Sequence, residues 1–374
     1  MNERERYIET MLFGKPDRIP FSPGGPRRST LERWRQEGLE SEAHWHGALM
    51  KELGIAQEDS GPRVHPGVNL RMNPMFEEKI IEHRGNQILI QDWMGNIIEI
   101  LDHFDPTYIR NAIDFVTRKW HKFPVETPAD FDEMRKRYNP ADPSRYPADW
   151  EERKRALAER DYPVTVAFPG PFWQLREWCG FEPLCVKFAM EPDFVKEMIA
   201  FWEGFVLETL ERLLEARGVD RIFIQEDMAY KAHPMISPAM TREFLAPVYT
   251  RWVRHFREAE VPVVEMDSDG NVDLLIPIWI DCDIHACSPV EVAAGCDIVA
   301  YRERYGKEMA FAGGIDKRCI AKGGAVIEAE LRRIEPVVRE GGYIPSCDHG
   351  VPPDISWPDF IHYSRLLAEM TGWF

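Results

Sequence analysis

The sequence predicts an α/β fold, a (β/α)8 TIM barrel with an irregular N-terminal segment, forming a single domain over residues 1–374. Three observations carry this expectation. From about residue 160 onward, short β-rich runs alternate with amphipathic helical stretches, which is how parallel β/α architecture reads in a sequence. Polar residues gather at several successive strand ends, where a barrel places its reacting groups. No glycine-rich dinucleotide fingerprint follows any strand, which argues against a doubly wound open sheet.

The part before residue 160 is richer in proline and irregular segments, and the chain shows no solenoid repeat, low-complexity block or Ser/Gly linker. Strands are expected at residues 164–168, 221–225, 261–266, 283–286, 309–312 and 343–346. After Pro192, the residues Phe194, Val195, Met198, Ile199, Trp202, Phe205, Val206, Leu210, Leu213 and Leu214 recur at i, i+3, i+4 spacing. That spacing makes one apolar helical face, and Gly218 ends it. Further helices are expected at residues 238–260, 317–340 and 356–370, the last with Ser356 as N-cap.

Composition excludes several classes of function. A 374-residue chain with 44% hydrophobic content can bury a sizeable core. Its 63 acidic against 46 basic residues leave a net charge of −17, which repels a phosphate backbone and excludes nucleic acid as a partner. The longest apolar runs, such as residues 274–280, fall short of the roughly 20 residues that cross a bilayer, so no membrane partner is expected. Residues 1–6 alternate in charge and lack the apolar stretch of a secretory signal, which predicts a cytoplasmic protein. Seven cysteines, an odd number with no CxxC pair, argue against a disulfide framework and a zinc ribbon.

The junctions after the strands hold the candidate reacting groups. Glu226 and Asp227 follow the run at 221–225, and adjacent side chains at a strand end point opposite ways. One of them therefore faces the barrel mouth. If it is Glu226, partial burial raises its pKa and equips it to donate a proton or to complete a metal shell; the alternative is a salt bridge to an arginine or to Lys231. Tyr230 and His233 either line the same pocket or are ordinary loop residues. Asp267 and Asp269 flank a turn and either cap the following helix or face the mouth. His285 and Cys287 have His-x-Cys spacing without an evident third ligand, which favours a structural role. Gly313 and Gly314 allow close backbone approach, and Asp316 caps a helix.

Read in order, several stations resemble the uroporphyrinogen decarboxylase superfamily across nearly the whole chain. They are Arg4-Glu5-Arg6 with Gly14-Lys15-Pro16-Asp17-Arg18-Ile19-Pro20, an N-terminal helix and opening strand, then Gly170-Pro171-Phe172 and Ile236-Ser237-Pro238. Ala312-Gly313-Gly314-Ile315-Asp316 and His349-Gly350-Val351-Pro352 complete the series. The resemblance implies the barrel. It is closer to the corrinoid-dependent methyltransferase branch than to the decarboxylase, because the arginine pattern of the decarboxylase is incomplete here.

In that branch the resemblance implies zinc held by a His-x-Cys pair and a late Cys. This chain has Asp267-Ser268-Asp269 at the first station, and His349 with Cys347 two residues before it at the second. Asp267, Asp269, Cys347 and His349 are thus the candidate ligands for zinc or another divalent metal, a harder set than the usual one. Glu226, Asp267 and His349 are the candidate catalytic residues, while Cys347 also reads as a small buried hydrophobe and His349 as a solvated loop residue. Oxygen and nitrogen ligands suit polarising an ether oxygen better than activating a thiol. The expected reaction is therefore transfer of a methyl group from a small O-methyl compound, an aromatic methyl ether being one candidate, to a corrinoid on a partner protein. Arg27, Arg28, Trp173, Tyr230 and His233 are the candidate substrate-binding residues. Arg27 and Arg28 bind an anionic donor or solvate their loop, and Trp173 sits with Phe172, Trp178 and Phe181 in an aromatic wall or in the core. Barrels of this size commonly self-associate, so a homo-oligomer fits this reading. The rival readings are tetrapyrrole decarboxylation and a non-catalytic ligand-binding barrel.

Overall fold

A computed structural model of the chain describes residues 1–56, 63–105, 107–111 and 116–374. Before the barrel, strands β1 (Lys79–Arg84), β2 (Gln87–Gln91), β3 (Ile97–Leu101) and β4 (Lys119–Lys122) form an antiparallel sheet in the order β1-β2-β3-β4. Its buried face is an isoleucine layer of Ile88, Ile90, Ile98 and Ile100. From sequence this segment reads as irregular, and its edges show why. Both β1 and β4 are exposed along their whole length, so neither carries the alternation that announces a half-buried strand.

Six parallel strands form after residue 160: β5 (Thr165–Pro169), β6 (Arg221–Gln225), β7 (Val263–Asp267), β8 (Ala286–Ser288), β9 (Ala310–Ile315) and β10 (Tyr343–Cys347); the run expected at 283–286 enters β8 only at Ala286, because Asp283 sits in a turn at φ 62°. They pair in chain order, as helices returning over one face require. The helix after Pro192 runs Pro192–Glu215 and buries every residue of its predicted apolar face. Ser356 caps the helix Trp357–Met370 by accepting a hydrogen bond from the Asp359 amide. The helix expected at 317–340 is broken, because Gly323 adopts φ 71° between Lys317–Lys322 and Gly324–Glu340. The one expected at 238–260 starts as the short turn Pro238–Met240, with Ser237 as its cap, and passes through a π-helical turn before Ala246–Glu258.

The fold is the barrel-like α/β architecture expected from the sequence. Among the described residues the parallel sheet has six strands and is not closed by hydrogen bonds between β10 and β5. The expected opening strand near Ile19 makes single contacts instead: the Ile19 amide donates to the Thr371 carbonyl at 3.0 Å, and an isolated parallel bridge joins Pro26 to Val351. Pro20, Pro23 and Pro26 each lack an N–H, so this segment cannot donate a continuous ladder. The N-terminal helix Glu3–Met11 plugs the end of the barrel where the strands begin, with Tyr7 and Met11 packed on Val263, Ala286, Ala310 and Ile344. Above that plug Arg221 and Glu265 pair at 2.6 Å across β6 and β7, which leaves the strand C-termini as the open end.

Gly313 shows why the Gly-Gly station is needed. Its φ is 96°, and a Cβ placed there would lie 1.9 Å from the Pro289 carbonyl oxygen. Gly313→Ala is therefore expected to destabilise the fold by about 2–4 kcal/mol, read as a lower urea midpoint; an unchanged midpoint would contradict this close approach.

Candidate active site

The register of β6 and β7 decides which acids meet. Gln225 pairs with Asp267, so the two share one face of the sheet, and Asp227, two residues further, returns to it. A cavity of about 420 Å³ at the strand C-termini is lined by Asp227, Asp267, Asp269, Cys347 and His349. His349 Nε2 lies 3.0 Å from Asp269 Oδ2. Its Nδ1 accepts from the Gly350 amide at 2.7 Å and lies 3.2 Å from Arg27 Nη2. With donors on Nδ1, the ring proton belongs on Nε2, facing Asp269. The Asp269 amide donates to Asp227 Oδ1 at 2.9 Å.

Asp267 is different, since among the described residues its carboxyl has no hydrogen-bond partner although it faces this cavity. Burial first, then the neighbouring charges of Asp227, Asp269 and Glu265, push its pKa well above the ordinary carboxyl value, against the pull of Arg221. Burial and Asp269 also raise Asp227. His349 is raised as well, chiefly by its hydrogen bond to Asp269, with burial opposing. Three carboxyl groups around one small cavity cannot all ionise cheaply, and the raised pKa of Asp267 favours its protonated form.

The loops carrying these groups are fixed from behind. Glu291 accepts from the Gly270 amide at 3.0 Å and lies 3.3 Å from Lys317 Nζ. Asp348, fully buried, accepts from the Val292 amide at 2.9 Å and the Lys317 amide at 3.2 Å. The loops after β7 and β10 are thereby tied to each other rather than left to solvent.

The other expected residues divide. Glu226 does not reach the mouth: it faces away with Ile222 and Ile224, fully buried, and accepts from the Phe172 amide at 3.1 Å, the Trp173 amide at 3.0 Å and the Tyr249 hydroxyl. Asp227 takes the place expected for it. The alternation of Ile222 and Ile224 with Arg221 and Phe223 was the signal that could have assigned the pair. Arg27 reaches the site through the bridge of Pro26 with Val351, whereas Arg28 points outward and pairs with Glu32. Trp173 and Tyr230 line a second cavity of about 890 Å³ beside the first, while His233 is exposed and lines neither. Phe172 and Trp178 are core.

Cys347 borders the acidic cavity against Gly24, but burial pushes its thiol up to about 12. Neither Asp267 nor Asp269 caps the next helix: Ile276–Asp281 has no side-chain cap, and Asp269 is turned to His349. As a metal shell the expected set does not fit. Both ring nitrogens of His349 are engaged, and among the described residues no three His, Cys, Asp or Glu side chains are grouped to hold an ion. What the arrangement offers is proton chemistry.

The family model described as uroporphyrinogen decarboxylase (URO-D) matches residues 114–360. Among solved structures, the chain is similar to a methyltransferase from Methanosarcina mazei, with a TM-score of 0.58 at 16% identity over 99% of this chain and 98% of that one. A chain named as a putative vitamin-B12-independent methionine synthase of Listeria monocytogenes matches at 10% identity over 57% of this chain and 64% of its own, with a TM-score of 0.33, too distant to carry an argument. No curated protein matches the sequence. No helix among the described residues is long and apolar enough to cross a membrane.

Glu226 yields a test of its structural assignment. Burial raises its pKa from the ordinary 4.5 to about 8, against the donors from Tyr249, Trp173 and Phe172. The folded chain thus keeps a proton that the unfolded chain releases, and the stability this provides is lost as pH rises through that window. The unfolding free energy of the wild type, read from urea titrations, should decline between about pH 5 and about pH 8, by at most about 1.4 kcal/mol per pH unit from this group, while Glu226→Gln flattens that component. Parallel pH profiles for the two proteins would contradict the assignment.

Proposed function

The chain belongs to the uroporphyrinogen decarboxylase family, and from that premise we propose that it is a methyltransferase acting on a small O-methyl compound. The observation that carries this reading is Asp267: a carboxyl lining a cavity without a hydrogen-bond partner among the described residues, its protonated form favoured by burial and by its acidic neighbours. Breaking a methyl–oxygen bond leaves the electron pair on oxygen, and that oxygen needs a proton. Asp267 delivers it and becomes the carboxylate. The His349–Asp269 pair then faces the vacated position with an Nε2 proton already directed at a carboxylate, and Arg27 holds the imidazole from the other side. A corrinoid carried by a partner protein supplies, when bound, the nucleophilic cobalt that accepts the methyl group. The likeness to the Methanosarcina mazei methyltransferase over the full length of both chains supports the choice of methyl transfer within the family.

A second reading has an observation in its favour. Arginines line the cavity beside the mouth, and carboxylated tetrapyrroles need cationic partners. In decarboxylation the Asp267 proton would go to carbon as carbon dioxide leaves.

The experiment that tests the first reading mixes the purified protein with a cob(I)alamin-type acceptor and a panel of O-methyl compounds, following methyl transfer by visible absorbance. Turnover is expected, with a rate that falls as pH rises past the raised pKa of Asp267. Asp267→Ala and His349→Ala should each lose at least about tenfold in activity while keeping the wild-type circular dichroism spectrum. Wild-type turnover in both variants would remove the proposed site. Carbon dioxide release from a porphyrinogen, without methyl transfer from any donor, would replace this reading with the second.

A further inference from the structure

The larger cavity, of about 890 Å³, lies where the four-stranded sheet meets the mouth of the barrel. Its barrel wall comes from β5, the end of β6 and the helix Pro171–Cys179; its outer wall comes from residues 68–72 and the sheet. Three arginine–tryptophan pairs line it. The guanidinium carbon of Arg176 stands 4.0 Å from the ring centroid of Trp173, that of Arg118 5.0 Å from Trp120, and that of Arg71 5.7 Å from Trp93.

The charge of this cavity is out of keeping with the chain. The protein carries a net charge of −17, yet among the described residues none of Arg71, Arg118 and Arg176 has a carboxylate within salt-bridge distance. A fourth lining arginine, Arg110, pairs with Glu78 at 3.3 Å. Among the described residues the lining includes one carboxyl, that of Glu177, against four arginines, and burial raises its pKa against the pull of Arg176 and Arg118. Three like charges gathered around one cavity repel each other, and an anion seated among them relieves that repulsion. Stacking on an indole face leaves the edge of a guanidinium, where its N–H fork lies, free for a carboxylate.

We infer that this cavity binds an aromatic carboxylate, its acid group taken by the arginines and its ring by the tryptophans. The inference deepens the proposed function by naming the class of molecule held beside the acidic mouth. It rests on that reading only for the orientation: Arg176 Nη1 donates to the Asp227 carbonyl at 3.0 Å, so the wall of one cavity is tied to the rim of the other. The four-stranded sheet gains a function, since Trp93 and Trp120 belong to it or to its turns.

Isothermal titration calorimetry on the full chain tests this without turnover. The probes are para-methoxybenzoate, its uncharged amide, cyclohexanecarboxylate and inorganic phosphate. The aromatic acid is expected to bind at least about tenfold more tightly than each of the other three, the size expected for charge-assisted hydrogen bonds and ring stacking. The double variant Arg71→Gln, Arg118→Gln should lose about tenfold or more for the acid and leave the amide unchanged, with its circular dichroism spectrum intact. Arg176 is left in place because it also braces Asp227. Failure of the acid to bind, equal affinity for acid and amide, phosphate binding as tightly as the acid, or wild-type affinity in the double variant would each overturn the inference. Tight binding of the acid by a protein that transfers no methyl group would preserve this inference and remove the proposed function.

Discussion

Negative charge confined at the ends of neighbouring parallel strands is the condition around which the site is built. Because β6 and β7 run side by side with Gln225 opposite Asp267, Asp227 and Asp267 come to the same face, and the loop after β7 adds Asp269. Such a group can be kept in three ways: by protonation, by hydrogen bonds to carboxylates, or by nearby cations. All three are used. Burial and its neighbours favour the protonated form of Asp267, Asp227 and Asp269 accept hydrogen bonds from the Asp269 amide and His349, and Arg27 and Arg176 stand at the edges.

That division of labour gives the cluster its chemical character. A carboxyl with no partner and a raised pKa is a proton donor, whereas a carboxylate bonded to an imidazole orients that ring and favours its charged form. Side by side they resemble an acid with its recharging pair. The same engagement explains the poor fit to a metal, because a ligand nitrogen must offer a lone pair, and on His349 Nδ1 accepts from the Gly350 amide while Nε2 carries the proton facing Asp269.

Beside the acidic cavity lies one of the opposite sign, and the helix Pro171–Cys179, which lines the second, is tied to the rim of the first through Arg176. Its first amides are fixed on Glu226, its Trp173 and Arg176 face the larger cavity, and Arg176 holds the Asp227 carbonyl. Glu226 therefore acts through backbone position: a fully buried carboxyl that fixes the start of this helix.

Local patterns were enough to read the parallel strands, the long helix Pro192–Glu215, the Ser356 cap and the placement of Asp267, Asp269 and His349 just at or beyond strand ends, because each is written in neighbouring residues. The alternation along β6 held one thing more: the outward face shared by Ile222, Ile224 and Glu226, and therefore the inward turn of Asp227. The rest depended on distant segments. Arg27 meets His349 only because the chain near Pro26 lies along Val351, the exposed β1 and β4 show no alternation to betray their sheet, and the arginine–tryptophan cavity joins residues near 71, 118 and 176. Sequence alone thus determined which faces each element would bury and which reactive side chains stood at strand ends. Tertiary structure decided which of them share a cavity, because that follows from register and packing between segments, and neither is encoded in the spacing of any one of them.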